Sequence, residues 1–346
     1  MATLIEISAT VAGTNYSGAA SNLSLSICSY SSRGFAIFII TAYTLIFVIG
    51  IILNSLAFWV YFFHIPSSNS IIVYLKNLVV ADFLLVLSLP IKILRDGELG
   101  TTSDLNSIYC NFVACIFYLN IYSSISFLGF IAATRYLKIV RPLKTYTFQN
   151  VKTAKRLALG TWGVLLLAGI SFVILININK QTTPQSSQIC LRSGMHQQTI
   201  NMVAHIACLI GFLVVLVALC FFYFQISSQL HRSPSSKSLR KQTKAKNNIL
   251  ILLAVFLVCF VPYHIFRLPY VLSHTNFISD CYWKQILHFA KESSLLLSTL
   301  NACFDPVIYF LFCKAFRSKL GLDKKANDLH LNEMSVPVNA SQIILN

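Results

Sequence analysis

Seven apolar stretches divide this chain, and each is long enough to cross a lipid bilayer. A helix rises about 1.5 Å per residue, so about 20 residues span a hydrocarbon core about 30 Å thick. The stretches centre on residues 36–63, 71–94, 107–134, 157–177, 199–226, 248–272 and 286–312. The sequence therefore predicts an all-α integral membrane protein whose seven-transmembrane helix bundle occupies residues 36–312.

The composition agrees with a membrane protein and argues against a soluble one. Only 11% of the 346 residues are charged, against about 25% in ordinary soluble domains. A net charge of +16 would suggest nucleic-acid binding in a soluble protein, but here the basic residues lie between the apolar stretches. We therefore expect the lipid bilayer as a partner and no nucleic acid.

Lysine and arginine are spread unequally between the loops, and this asymmetry predicts the orientation. Cytoplasmic loops carry the basic excess in membrane proteins. The loops after the third stretch and before the sixth contain bases and no acid, the bases being Arg135, Lys138, Arg141, Lys144, Lys152, Lys155, Arg156, Arg232, Lys237, Arg240, Lys241, Lys244 and Lys246. These loops are predicted to be cytoplasmic, which places the N-terminus outside the cell and the C-terminus inside.

Residues 1–35 are predicted to form an extracellular, glycosylated tail. Asn15 and Asn22 each begin an Asn-X-Ser sequon, which is used only on that side of the membrane. The tail has no basic n-region, so we expect the first stretch to be retained as a signal anchor. Residues 313–346 are predicted to form a short amphipathic eighth helix and a cytoplasmic tail.

Four of the ten cysteines map to the predicted outer face, where the oxidising environment preserves disulfides. They are Cys28, Cys110, Cys190 and Cys281. Four cysteines allow three pairings, and their spacing does not choose between them. Free buried thiols are the alternative for some of the four.

Polar residues inside the apolar stretches are costly and point to function. Asp82 lies deep in the second stretch, and it predicts a water or cation site, with sodium as the candidate, shared with Asn54, Ser124 and Asn301. The alternative is a protonated carboxyl group hydrogen-bonded within a static bundle.

The last stretch combines a second acid with a helix breaker, Asp305 followed by Pro306. Proline lacks a backbone N–H, so the carbonyl it leaves free must find water or a side chain. This position is a predicted hinge.

Cationic and aromatic residues cluster at the outer ends of the sixth and seventh stretches. His264 and Arg267 are three residues apart and so share a helix face, with Tyr270 one turn further and Lys291 at the start of the next stretch. Cations partly withdrawn from water bind phosphate well, and arginine can do so through two bonds. The pattern predicts an anion clamp; the alternative is that Arg267 and Lys291 only extend to the membrane interface.

No enzyme signature occurs in the sequence: it contains no HExxH, nucleotide-binding glycine loop, GxSxG elbow or CxxC pair. We therefore expect neither an enzyme nor a cofactor. A transporter is the alternative class, because buried Asp82 and Asp305 could relay protons, although the internal repeat typical of transporters is missing.

The polar motifs, taken in order, resemble those of rhodopsin-class (class A) G-protein-coupled receptors. They are Gly50 to Asn54, Leu78 to Asp82, Cys110, Thr134-Arg135-Tyr136, Trp162, Tyr223, Phe256 to Pro262, and Asp305 to Tyr309. The resemblance implies a heterotrimeric G protein as partner and a set of coupling and switch residues. These are Arg135, Tyr136, Tyr223, Pro262, Asp305, Pro306 and Tyr309, of which Arg135, Tyr223 and Tyr309 are expected to line an opened cytoplasmic cleft.

Within that class the sequence is most similar to the purinergic nucleotide receptors, in the branch of the platelet ADP receptor and the UDP-glucose receptor. The segments that carry this likeness are His64 to Ser68, Tyr74 to Asn77, Cys259 to Tyr270, and Lys291 to Ser293. The resemblance implies that His264, Arg267 and Lys291 bind the phosphates of the ligand. Tyr118 and Tyr270 match its aromatic positions, and His205 stands where the fifth helix is expected to have an asparagine.

The same resemblance implies disulfides between Cys110 and Cys190 and between Cys28 and Cys281. It also implies a plasma-membrane receptor for an extracellular nucleotide or nucleotide sugar, signalling through an inhibitory-type G protein. A phosphate-bearing lipid is the alternative ligand, because Arg192 is the only basic residue shortly after Cys190.

Thr134 stands where this class of receptor usually has aspartate before the arginine. Arg135 therefore lacks an adjacent carboxylate that would help to hold the resting state. Elevated basal activity or altered coupling is the resulting hypothesis.

Overall fold

The structure is a computed structural model, and it describes residues 33–97, 103–140, 149–182, 195–232, 236–273 and 280–319. Some of the sequence predictions concern residues outside these ranges. They are the glycosylation of Asn15 and Asn22, the roles of Cys28, Cys190 and Arg192, and the tail beyond residue 319.

Seven helices in the described ranges are long and apolar enough to span a bilayer, which confirms the predicted seven-helix membrane architecture. Two of these helices, α3 and α7, consist of consecutive segments, and a short eighth helix follows the last one. The bounds are α1 Arg33–Trp59 with a π-helical turn Val60–His64, α2 Ser70–Asp96, α3 Ser103–Ile108, Tyr109–Val113 and Ala114–Val140, α4 Val151–Thr182, α5 Met195–Arg232, α6 Ser236–Ser273, α7 Cys281–Thr299 and Asn301–Phe312, and α8 Lys314–Lys319.

Helices α2 and α7 begin at side-chain caps, and so does α4, where Oδ1 of Asn150 accepts the backbone N–H of Lys152 at 3.0 Å. Oδ1 of Asn69 accepts the backbone N–H of Ile72 at 3.1 Å at the start of α2. Oδ1 of Asp280 accepts the N–H of Tyr282 at 2.9 Å at the start of α7. Each cap satisfies one of the N–H groups that a helix N-terminus leaves without an intrahelical partner. The caps fix where α2 and α7 begin.

The lateral surface of the bundle is apolar, as a lipid-facing surface must be. Leu159 of α4 is 75% exposed and Val217 of α5 is 66% exposed. Patches of this kind are rare on soluble monomers. Inside, α1 approaches α2 closely because Gly50 has no side chain: a Cβ there would lie 2.9 Å from Cγ2 of Val86.

We use two names for the ends of the bundle. The upper end is where α1 and α7 begin and α6 ends, and the lower end is where α3 ends at Val140 and α7 ends at Phe312.

Helix α7 is interrupted at Leu300, six residues before Pro306, rather than at the proline itself. Because Pro306 has no N–H, it cannot satisfy the carbonyl of Ala302, four residues earlier. Nδ2 of Asn54 in α1 donates to that carbonyl at 2.8 Å and to the carbonyl of Gly50 at 3.0 Å. The side chain that the proline requires therefore comes from α1.

Replacing Asn54 with alanine is expected to lower the unfolding temperature of the purified protein by several degrees. The variant leaves the buried carbonyl of Ala302 without its partner, which costs about 1–3 kcal/mol. Thr44→Ala in the same helix is the control, because exposed Thr44 bonds only to the carbonyl of Ile40 in its own helix, at 2.8 Å. Equal unfolding temperatures for the two variants would show that Asn54 does not support α7.

Candidate functional site

Arg267 of α6 is the centre of a polar cluster at the upper end. Its Nη2 donates to the hydroxyl of Tyr118 in α3 and lies 3.4 Å from Nε2 of His205 in α5. Arginine only donates hydrogen bonds, so a bond to His205 requires Nε2 without a proton. The three side chains join three helices around one guanidinium group.

Tyr270 lies between the two cations that the sequence singles out. Cζ of Arg267 is 5.8 Å from the Tyr270 ring centroid, and Nζ of Lys291 is 5.2 Å from it. Both distances are within the range of cation–π attraction. We call Tyr118, His205, Arg267, Tyr270 and Lys291 the anion cluster.

His264 lies apart from the anion cluster, although it is one turn from Arg267. Its Nδ1 is 2.8 Å from the carbonyl of Phe260, and its ring stacks on Phe212 with centroids 3.9 Å apart. Tyr122 meets it edge-on at 5.9 Å. Within the described residues no hydrogen bond or ring contact joins His264 to Arg267, so the structure does not bring these two into one clamp. Spacing of three residues puts side chains on one face, but the rotamer of His264 directs it into the core.

A chain of alternating charges extends from the anion cluster to α2. Nζ of Lys291 is 2.5 Å from Oε1 of Glu292, whose Oε2 is 3.7 Å from Nζ of Lys92. Lys92 also bonds to Oδ2 of Asp96 at 2.7 Å, and Nη1 of Arg95 lies 3.2 Å from Oδ1 of Asp96. Three cations thus share two carboxylates.

Lys92 is a site residue that the sequence analysis missed. Its side chain is 1% exposed, and Nζ lies 4.8 Å from the ring centroid of Tyr43, 5.7 Å from Tyr109 and 5.9 Å from Phe117. The signal was present, since a lysine inside stretch 71–94 stands four residues before an aspartate. Lys92 joins α1, α2, α3 and α7 at the upper end.

Asp82 occupies the centre of the bundle, where it is fully buried. It accepts Nδ2 of Asn120 at 3.0 Å and the hydroxyl of Tyr309 at 2.7 Å. Asn120 is a second residue that the sequence analysis missed, although it is polar within stretch 107–134. Tyr309 therefore faces the bundle interior in this arrangement, and its place in an opened cytoplasmic cleft stays a prediction.

The other predicted members of the Asp82 site contribute oxygens that have no hydrogen-bond partner among the described residues. Nδ2 of Asn301 donates to Oδ2 of Asp305 at 2.8 Å. At this site the buried oxygens without a partner in the described ranges are Oδ1 of Asn54, Asn120, Asn301 and Asp305 and Oγ of Ser124. Such oxygens suit water or a hard cation. Within the described ranges, no three His, Cys, Asp or Glu side chains converge as a metal site.

Arg135 bonds to a backbone carbonyl at the lower end. Its Nη2 donates to the carbonyl of Phe312 at 2.6 Å, and its Cζ lies 5.0 Å from the Phe312 ring centroid. The last carbonyls of a helix lack intrahelical donors and carry partial negative charge, so they attract a cation. Thr134 is fully buried, and its hydroxyl donates to the carbonyl of Phe130 at 2.8 Å. Helix α3 is tied to the end of α7 without a carboxylate.

The remaining predicted switch residues lie near this end or along α6. Tyr136 stacks on Phe222 of α5 with centroids 4.8 Å apart, and Nζ of Lys246 is 5.8 Å from the Tyr223 ring centroid. Pro262 lies inside α6. One turn before it, the carbonyl of Cys259 accepts the hydroxyl of Ser298 of α7 at 2.8 Å.

Cys110 and Cys281 each form a disulfide bond, whereas the other described cysteines are free. Cys28 and Cys190 lie outside the described residues, so the two implied pairings stay predictions.

Comparison with known proteins agrees with this architecture. Residues 53–309, well over half of the chain, match the family described as 7 transmembrane receptor (rhodopsin family). Purinoceptor 14 of Bos taurus is 41% identical over 282 residues, covering 80% of this chain and 82% of the relative. Purinoceptor 13 of Homo sapiens is 39% identical over 283 residues, covering 80% and 78%. G-protein coupled receptor 87 of Mus musculus is 38% identical over 290 residues, covering 82% and 79%.

These matches confirm the resemblance found in the sequence, and they decide between receptor, enzyme and transporter. Relatives of this identity, aligned over about four fifths of the chain, share its fold and its class. The protein is therefore a multi-pass membrane protein with a heterotrimeric G protein as its partner, and it is not an enzyme. The chain belongs to the rhodopsin family of seven-transmembrane receptors and is a class A G-protein-coupled receptor of the purinoceptor branch.

Proposed function

We propose that this receptor responds to an extracellular nucleotide or nucleotide sugar. The observation that carries the proposal is the anion cluster, in which Arg267 and Lys291 flank the ring of Tyr270. A phosphate oxygen can replace the neutral partners of Arg267 and gain a charge-assisted bond. The names of two relatives, which call them purinoceptors, favour the same class of ligand.

Aromatic rings next to the cluster provide a surface for a nucleobase. Tyr118 lies 6.5 Å from Tyr122 and 6.2 Å from Phe172 of α4, measured between ring centroids. Nucleobases of any type can stack on such rings, because every base has an aromatic face. A ligand with phosphates on Arg267 and a base on these rings would use both halves of the site.

The proposed orientation puts the upper end outside the cell at the plasma membrane. The basic residues between α3 and α4 and between α5 and α6 then face the cytoplasm. A ligand shifts the receptor toward an active state only if it contacts that state better than the resting state. In this proposal α6 moves about Pro262, Arg135 leaves Phe312, and an inhibitory-type G protein binds the lower end. The buried oxygens around Asp82 hold water or sodium between the two ends.

A phosphate-bearing lipid is the second candidate ligand, and one observation favours it. Glu292 lies against Lys291, so among the described cations of the anion cluster Arg267 alone has no acidic partner. One free cation suits a single phosphate group better than a diphosphate.

The test is a guanine-nucleotide exchange assay on membranes that contain the full-length receptor. The panel is ADP, UDP, UDP-glucose and lysophosphatidic acid, each with inhibitory-type and other G proteins. We expect a nucleotide or nucleotide sugar to stimulate exchange on the inhibitory type, and Lys291→Ala to weaken that response about tenfold. Arg33→Ala is the control, because Arg33 is an exposed cation at the upper end of α1. A response to the lipid alone would favour the second candidate, and a nucleotide response unchanged in Lys291→Ala would contradict the clamp.

A further inference from the structure

Lys291 is already occupied by a carboxylate of the receptor itself. Its Nζ lies 2.5 Å from Oε1 of Glu292, the next residue along α7. The side chains of Lys291 and Glu292 are only 15% and 16% exposed, so water screens this contact weakly. An anion that approaches Lys291 must therefore compete with Glu292.

Lys92 stands on the other side of the same carboxylate. Oε2 of Glu292 is 3.7 Å from Nζ of Lys92, and that oxygen has no hydrogen bond within the described part of the chain. Lys92 is held in place by Asp96 and by the surrounding rings of Tyr43, Tyr109 and Phe117. A modest rotation of the Glu292 side chain would convert the 3.7 Å contact into a hydrogen bond.

We propose that Glu292 is a specificity-determining residue that occupies Lys291 in the free receptor and moves to Lys92 when an anionic ligand binds. The inference rests on the proposed function, since it concerns the same anion cluster. Lys92 is the receiving cation: it takes over the displaced carboxylate, which would otherwise lose its partner in a poorly hydrated site at high cost. Glu292 thereby lowers anion affinity and sets how much charge the site accepts.

The geometry favours transfer over simple release of Glu292. The charges alternate from Arg95 through Asp96, Lys92 and Glu292 to Lys291. A ligand phosphate that binds Lys291 adds one more negative charge at that end of the row. Moving one carboxylate along this row keeps each charge next to an opposite charge. Glu292 also repels the ligand, and the repulsion grows with the charge of the ligand.

Binding of inorganic pyrophosphate to the purified full-length receptor in lipid nanodiscs tests the competition directly. The readout is the rise in unfolding temperature against pyrophosphate concentration. Glu292→Gln should lower the apparent Kd about tenfold, and the gain should be smaller for inorganic phosphate, which carries less charge. Lys291→Met combined with Glu292→Gln should gain clearly less over Lys291→Met alone than Glu292→Gln gains over wild type, because only the direct repulsion by the carboxylate is then removed.

Lys92→Met tests the transfer. It should weaken pyrophosphate binding about threefold or more in the wild-type background, because the displaced carboxylate has no receiving cation. In the Glu292→Gln background the same change should have no effect. If Lys92 contacted the anion directly, the loss would persist in that background, and the transfer would be wrong. Asp96 stays paired with Arg95 in both variants.

Glu292→Asp covers the case in which Glu292→Gln does not fold. The aspartate side chain is one methylene shorter, so its carboxylate lies farther from Lys291. This variant should give a smaller gain in pyrophosphate affinity than Glu292→Gln. No gain in any folded variant, or no pyrophosphate binding by wild type and variants alike, overturns the inference. The proposed function is judged separately by nucleotide-driven exchange: a nucleotide response without a Glu292 effect refutes only the inference, and a Glu292 effect without a nucleotide response refutes only the nucleotide ligand.

Discussion

Replacing Arg267 with alanine is expected to raise the nucleotide concentration for half-maximal G-protein activation about 100-fold. Hydrogen bonds to charged groups contribute about 1.5–3 kcal/mol each, and two of them from one guanidinium would account for about 3 kcal/mol, which corresponds to about two powers of ten. The measurement is the agonist concentration curve in the exchange assay, normalised to receptor number at the cell surface.

The neighbours of Arg267 make the loss specific to the ligand. In the receptor its described hydrogen-bond partners are the neutral groups of Tyr118 and His205, so alanine leaves no carboxylate without a partner. Tyr118→Phe keeps the ring but removes the hydroxyl that positions the guanidinium, and we expect a loss of about tenfold or less. Arg33→Ala removes the same charge from an exposed position and should leave the nucleotide concentration for half-maximal activation unchanged. If Arg267→Ala behaved like Arg33→Ala, Arg267 would not bind the ligand.

The architecture could be predicted from the sequence because lipid imposes a length and a composition on each spanning helix. The stretch centred on 248–272 corresponds to α6, and that centred on 71–94 corresponds to α2. Contacts between helices do not follow from periodicity. The placement of Arg267 and Lys291 at the outer ends of two stretches suggested a shared site, but only the resemblance to a family added Tyr118, which is far from both in the chain.

The sequence analysis missed two site residues for the same physical reason. Lys92 and Asn120 are polar side chains within apolar stretches, and their roles depend on partners from other helices, namely Glu292 for Lys92 and Asp82 for Asn120. His264 shows a different limit, because helical spacing fixes a face but not the rotamer that turns its ring onto Phe212, and its predicted contact with ligand phosphates stays a prediction. Asn54 has a second role that its place at the predicted sodium site did not indicate: its Nδ2 donates to the carbonyl of Ala302 in α7, while its Oδ1 stays among the buried oxygens without a partner in the described residues.

Thr134→Asp is expected to lower basal guanine-nucleotide exchange about tenfold. In this structure the guanidinium of Arg135 bonds to the carbonyl of Phe312, a neutral acceptor, and the hydroxyl of Thr134 serves its own helix. An aspartate at this position adds a carboxylate next to Arg135 in a poorly hydrated site. A net gain of about 1.4 kcal/mol for the resting state would shift its ratio to the active state tenfold.

The variant Thr134→Asn distinguishes the effect of the added charge from the effect of the changed side-chain shape. Thr134→Asn removes the same hydroxyl and fills the same space as aspartate, but it adds no charge, so it should leave basal exchange close to that of wild type. Basal exchange is measured without agonist on equal numbers of receptors, and a maximal agonist dose checks that both variants still couple. Equal basal exchange in Thr134→Asp and Thr134→Asn would mean that Arg135 does not need a carboxylate to hold the resting state. The carbonyl of Phe312 would then be a sufficient partner, and the threonine would have no bearing on the balance of states.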